Sequence, residues 1–124
     1  MSSQAFRTAV ENNDMDAAIA LLADDVVFRS PVVHRPYEGR EATAVLLRAV
    51  SEVFEDFRYT REVSDGENHV LVFHARVGDR ELDGADFLVT DADGLITDFM
   101  VMVRPMSGMH AVAEAMKRKL EGLA

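Results

Sequence analysis

ELDGADFLVTDADGLITDFMVMVR, residues 81–104, reads as two strands around a turn. Asp93-Gly94 is a two-residue hairpin signal, so the segments 81–90 and 95–104 should pair antiparallel. Working backwards, FRYTREV (57–63) and HVLVFHARV (69–77) are further strands, joined through Asp65-Gly66 and Gly78-Asp79. Working forwards, Pro105 ends the last strand, and Met109, Val112, Ala113, Met116 and Leu120 repeat at helical spacing. The run Lys117-Arg118-Lys119 lies near that helix's end, where basic side chains complement the dipole.

Helices dominate the N-terminal part. Phe6, Ala9 and Val10 have i, i+3, i+4 spacing, and Asn12-Asn13 stops that helix. Asp14 can cap a second helix whose apolar face is Met15, Ala18, Ile19 and Leu22. VVFRS (26–30) reads as a strand, and Pro31, Pro36 and Gly39 mark a loop. Ala42, Val45, Leu46, Ala49, Val50, Val53 and Phe54 then give a third helix. Helices segregated before a strand meander indicate an α+β fold.

Two features of residues 81–104 go beyond fold class. Phe99-Met100-Val101-Met102-Val103 is apolar on both faces, whereas a sheet covered on one side should alternate. Its second face therefore needs a cover, either the C-terminal helix or another subunit. Asp86 sits mid-strand, where Asp is disfavoured and an apolar setting penalises a carboxylate. It shares one face with Leu82, Gly84 and Leu88, and the other holds Ala85, Phe87 and Val89. Alternation alone leaves its orientation open.

With 124 residues, one domain spanning residues 1–124 is expected. A chain of this length buries roughly two thirds of its unfolded surface, enough for a core without covalent staples. The formal net charge of −9 argues against nucleic acid and anionic membrane surfaces as partners. No cysteine is present, so disulfides, thiolate nucleophiles and Cys-based zinc sites are excluded. No apolar run has the ~20 residues of a membrane span. The stretch MSSQAFRTAVENND is polar where a signal peptide needs an apolar core, so a cytoplasmic location is expected.

Local catalytic motifs are lacking. His34, His69, His74 and His110 have neither HxH nor HExxH spacing, and there is no GxSxG, GxGxxG or Walker loop. No metal or cofactor is expected. Asp91-Ala92-Asp93-Gly94 has the look of a calcium-loop start, but position 12 of that loop is Met102, so a hairpin turn is the better reading. His74, mid-strand, is read as facing solvent or an interface.

Three stretches, NNDMDAAIALLADDVVFRSPV (12–32), PYEGREA (36–42) and DFLVTDADGLITDF (86–99), carry a resemblance. In this order of elements the chain resembles the NTF2-like superfamily, in its SnoaL-like and ketosteroid-isomerase-like branch. The resemblance implies a cone: a curved, mainly antiparallel sheet wrapped around the N-terminal helices, with a pocket closed by the C-terminal segment. It also implies dimerisation through the outer sheet face, here at Met100 and Met102. Asp86 falls where ketosteroid isomerases keep a protonated aspartic acid in the oxyanion hole, an enzyme that is a standard worked case of a neutral buried acid. Ser30 stands where those enzymes have their carboxylate base, and Phe6 where they have their oxyanion tyrosine. The acid of the limonene-epoxide-hydrolase branch corresponds to apolar Val101 or a neighbour. The same correspondence points Val26, Phe28, Ser30, Asp86, Leu88, Phe99, Val101 and Val103 into the cone, with Phe6 beside them.

The ligand implied is a small, mostly apolar molecule with one hydrogen-bonding group. Two functions stay open. One is an isomerase, cyclase or hydrolase using Asp86 as acid or hydrogen-bond donor. The other is a non-catalytic ligand-binding or dimerising module on the same scaffold. A second acid or a histidine beside Asp86 would favour the first.

Overall fold

The computed structural model describes residues 3–121; Met1 and Ser2 of the N-terminal stretch read above lie outside the described residues. Helices α1 (Gln4–Glu11) and α2 (Met15–Ala20) lead into strand β1 (Leu22–Arg29). Strand β2 (Tyr37–Glu38) and helix α3 (Arg40–Val53) follow. The meander is β3 (Glu55–Asp65), β4 (Asn68–Val77), β5 (Arg80–Thr90) and β6 (Ile96–Arg104), and α4 (Met106–Glu121) comes last. The six strands make one curved, unclosed sheet in the order β2-β1-β6-β5-β4-β3. All neighbours are antiparallel except β1 and β6.

Local chemistry explains the element ends. Asn12 caps α1, Asn13 takes φ 56°, and the Asp14 carboxylate accepts from the Ala17 N–H at 3.1 Å to start α2. Gly66 and Gly78, at φ 62° and 61°, supply the left-handed residues of the first two of the meander's three hairpins. The Asp91 side chain accepts from the Asp93 and Leu95 N–H groups at 2.9 and 3.0 Å. This aspartate is thereby committed to building a turn.

Sequence expectations shift in two places. Strand β1 starts at Leu22, four residues earlier than the pattern suggested, and ends before Ser30. The Ile96 N–H donates to Leu21 O at 2.8 Å and Leu22 pairs with Ile96, so the parallel ladder draws the chain out of α2. On α3 the buried residues are Thr43, Leu46, Leu47 and Ala49, whereas Val45 is 48% exposed. Thr43 can be buried because its hydroxyl donates to Gly39 O at 2.9 Å.

The two faces of the sheet differ sharply. On the concave face His69, Leu71, Phe73 and Ala75 of β4 alternate into the core with Leu82, Gly84, Asp86, Leu88 and Thr90 of β5. Gly84 is required there: a Cβ would lie 2.2 Å from the Phe73 ring. Helix α4 covers this same side, with Gly108 pressed close to Leu82 and Val112 buried. The convex face carries half-buried Val70, Val72, Phe87 and Met100, with Met102 52% exposed. Of the two covers considered for the doubly apolar strand, α4 therefore serves the concave side.

Candidate ligand-binding cavity and its buried carboxyl

Between the concave face and helices α1, α3 and α4 lies a cavity of about 280 Å³. Of seven Phe and two Tyr in the chain, all but Phe87 line it. They form two walls. Phe6, Phe28, Tyr37 and Phe99 make one, with Phe28 and Phe6 set edge-on to Phe99 at 5.2 and 5.4 Å between ring centroids. Phe54, Phe57, Tyr59 and Phe73 make the other, with Phe57 stacked on Phe73 at 4.9 Å and edge-on to Tyr59 at 5.0 Å. Such walls present flat, apolar surfaces and favour offset or edge-on ring contacts.

Asp86 opens into this space while only 6% exposed. Its one hydrogen-bond partner among the described residues is Tyr59, whose hydroxyl donates to Oδ2 at 3.0 Å. Burial pushes the carboxyl from its ordinary 3.8 up to about 7, with the Tyr59 bond pulling the other way. Burial and the neighbouring carboxyl push Tyr59 in turn well above its ordinary 10, so it stays a neutral donor. Near neutral pH the pair therefore offers a carboxyl that can hold or release a proton, beside a fixed hydroxyl.

The residues expected at the site divide. Phe6, Phe28, Ser30, Asp86, Phe99, Val101 and Val103 line the cavity. Val26 and Leu88 do not: they are buried to 0% and 2% exposure in the packed layer around it. Leu88 pairs with His69, whose ring is engaged by the Ser64 and Thr90 hydroxyls at 2.7 and 3.0 Å; that end of the cone is filled rather than open. Ser30 lines the cavity, and its Oγ accepts from the Val32 N–H at 3.0 Å, which ties the side chain to the loop. Among the described residues, no cluster of three or more acids and histidines could hold a metal.

Tyr59 was not anticipated, although a signal existed. A tyrosine on an apolar strand face needs a partner for its hydroxyl, and Asp86 is the lone acid in the cavity lining. Phe6 has no hydroxyl to offer at the position where the resemblance implies one. Tyr59 brings a hydroxyl to the carboxyl from β3 instead.

Fold and cavity together define an NTF2-like cone, and comparison places it further. The model of the SnoaL-like domain matches residues 3–99, and the chain belongs to that family. A steroid delta-isomerase from Pseudomonas aeruginosa is 47% identical, with a TM-score of 0.90 over 94% of this chain and 86% of its own. A protein with a cystatin-like fold from Silicibacter pomeroyi is 33% identical, with a TM-score of 0.90 over 95% and 84%. An NTF2-like protein from Mesorhizobium loti, 19% identical with a TM-score of 0.72 over 82% and 87%, shares the fold. No curated protein matches the chain. No helix among the described residues is long and apolar enough to cross a membrane.

Proposed function

We propose that the cavity takes a small, flat, mostly apolar carbonyl compound and sets its oxygen against Asp86, in a protein of the isomerase or cyclase kind. The observation that carries this is the Asp86–Tyr59 pair, a neutral-capable acid and a fixed hydroxyl in an aromatic cavity. Protonated Asp86 keeps accepting from Tyr59 on Oδ2 while Oδ1–H donates to the ligand. Each bond in such a chain strengthens the next. The likeness to a steroid delta-isomerase supports a ligand of this shape and chemistry.

Among the described residues, the lining holds no second acid and no histidine. A double-bond shift, in which a proton leaves one carbon and returns to another, would therefore rest on Asp86 alone. Binding with hydrogen-bond activation is the function the geometry supports best, and turnover of an unsaturated ketosteroid should be slow, since a positioned base contributes roughly 10²–10⁴-fold.

The test is calorimetric titration with a neutral aromatic ketone, acetylnaphthalene. Asp86→Asn keeps a donor and should keep binding. Asp86→Leu should weaken it by about 1–3 kcal/mol, the range for an unmet buried polar contact. Equal affinities for the wild type and Asp86→Leu would overturn the assignment.

The convex face supports a second proposal, a homodimer through Val70, Val72, Phe87, Met100 and Met102. Those residues form an apolar strip that no helix among the described residues covers. Charge pairs flank it, Arg29–Asp98 at one end and Arg104–Asp83 at the other, both 3.0 Å. A strip bearing both signs at its ends can complement its own copy across a twofold axis.

A further inference from the structure

The cavity has two polar ends. Asp86 and Tyr59 mark the inner one. At the outer one, Asn13, Ser51 and Lys117 join the lining. Asn13 and Ser51 also belong to an open polar cleft with Asp14, Asp16, Arg48 and Glu52, so this end meets solvent.

The charged groups of that cleft are engaged. Asp14 caps α2, Asp16 pairs with Arg48, and Glu52 pairs with Lys119 at 3.4 Å. Within the basic run, Arg118 reaches Glu114 at 3.8 Å and Lys119 reaches Glu52. Lys117 makes no ion pair among the described residues, and no other Lys or Arg lines the cavity. Val112, Ala113, Met116, Lys117 and Leu120 all line it from α4, so the exposed Lys117 sits on the cavity side of the helix. A lysine so placed lays its stem along apolar surface and keeps its ammonium in water. Ordinary dipole complementation explains Arg118 and Lys119; it does not explain a lysine in the cavity wall.

We infer that Lys117 receives an anionic group at the outer end of the ligand. The preferred ligand class is then amphipathic: a flat apolar body, a carbonyl oxygen at Asp86 and a carboxylate or comparable anion at the remote end. This rests on the ligand reading above and adds a specificity residue to it. The net charge of −9 repels anions at long range, but screening limits that field to roughly 8 Å in physiological salt, and the acids of the open cleft are already engaged.

The experiment compares two probes: acetylnaphthalene, and its derivative bearing a carboxylate on the ring remote from the ketone. Both are titrated by calorimetry into the wild type, Lys117→Gln, and Arg118→Gln as a control for net charge. The carboxylate probe should lose about threefold to fivefold in affinity with Lys117→Gln, the upper range for a solvent-open pair. The neutral probe should bind Lys117→Gln and the wild type alike, and Arg118→Gln should leave both probes unchanged. Lys117→Glu should weaken the carboxylate probe further still. Equal carboxylate-probe affinity in the wild type and Lys117→Gln would overturn the inference, and so would parallel losses for both probes. If the neutral ketone binds and depends on Asp86 while Lys117 has no effect, only the anion assignment fails. If neither probe binds the wild type, the ligand reading fails with it.

Discussion

Asp86 and Asp83 lie three residues apart on β5 and are driven in opposite directions. Asp86, on the concave face, has one neutral partner and is pushed up to about 7. Asp83, on the convex face, accepts from Arg104 at 3.0 Å and pairs with His74 at 2.9 Å, chiefly the histidine bond holding it below its ordinary 3.8. One strand thus holds one carboxyl set to gain a proton and another set to lose it. The pleat decides which: an odd separation reverses the face, and the face decides whether burial or a cation dominates.

The comparison breaks first if the convex face is not a partner surface. Met100→Lys/Met102→Lys should convert a dimer to a monomer. Fully burying an exposed methionine contributes about 1.5–3 kcal/mol, but about half of each side chain is already covered within the chain, so the four that a twofold axis brings together put about 3–6 kcal/mol at stake. Light scattering at micromolar concentration checks this. A monomeric wild type would leave the convex strip exposed and the proposal without support.

The next largest effect belongs to Asp86. Its folded pKa lies above its unfolded value, so the folded state binds the proton more tightly. The resulting stabilisation is complete below about pH 4 and is lost as pH rises through about 7. The rise from 3.8 to about 7 corresponds to about 4 kcal/mol. Asp86→Asn removes this titration while its amide oxygen can still accept from Tyr59. Relative to wild type the variant should therefore gain about 4 kcal/mol between acid and mildly alkaline pH, read from urea midpoints. Parallel stability profiles for the two proteins would mean that the carboxyl is solvated.

Much of this architecture is legible in the sequence because it is periodic. Apolar strand-length runs in HVLVFHARV and ELDGADFLVT, with glycines at the turns, yield the meander, but neither strand has a clearly polar side, so alternation leaves open which face is concave. What escapes is set by non-local geometry. Alternation along FRYTREV places Tyr59 and Val63 on one side, yet Val63 is 62% exposed. A register shift between Tyr59 and Arg61 reverses the face midway, as bulges do. That shift aims Tyr59 inward, and its meeting with Asp86 crosses from β3 to β5, over the intervening β4. Val26 and Leu88 point inward as read, but depth along the cone decides between packed layer and open cavity, and periodicity carries no depth. Val45 shows the same limit on α3: hydrophobicity suggested its face, and the Thr43–Gly39 bond allowed a polar residue to take the buried place.

The smallest effect sharpens the comparison most. His74 stands between Asp83 at Nδ1 and Glu81 at Nε2, 2.9 and 2.8 Å away, and these bonds raise it above its ordinary 6.5. Arg58 on β3 opposes that rise, and Arg104 on β6 competes for Asp83. The Asp83 contribution is present above 3.8 and lost as pH falls through its lowered value; that of His74 is present below 6.5 and lost as pH rises through its raised value. Both are in force from 3.8 to 6.5, within the range over which the Asp86 contribution declines. The convex cluster is open to water, so Asp83→Asn should cost at most about 1 kcal/mol, and less at high salt. In the Met100→Lys/Met102→Lys background, where no partner can cover the cluster, proton NMR should show the His74 pKa falling while Glu81 keeps it above 6.5. A loss of several kcal/mol that ignores salt would mean that Asp83, like Asp86, sits in a desolvated setting, and the two faces would no longer differ in kind.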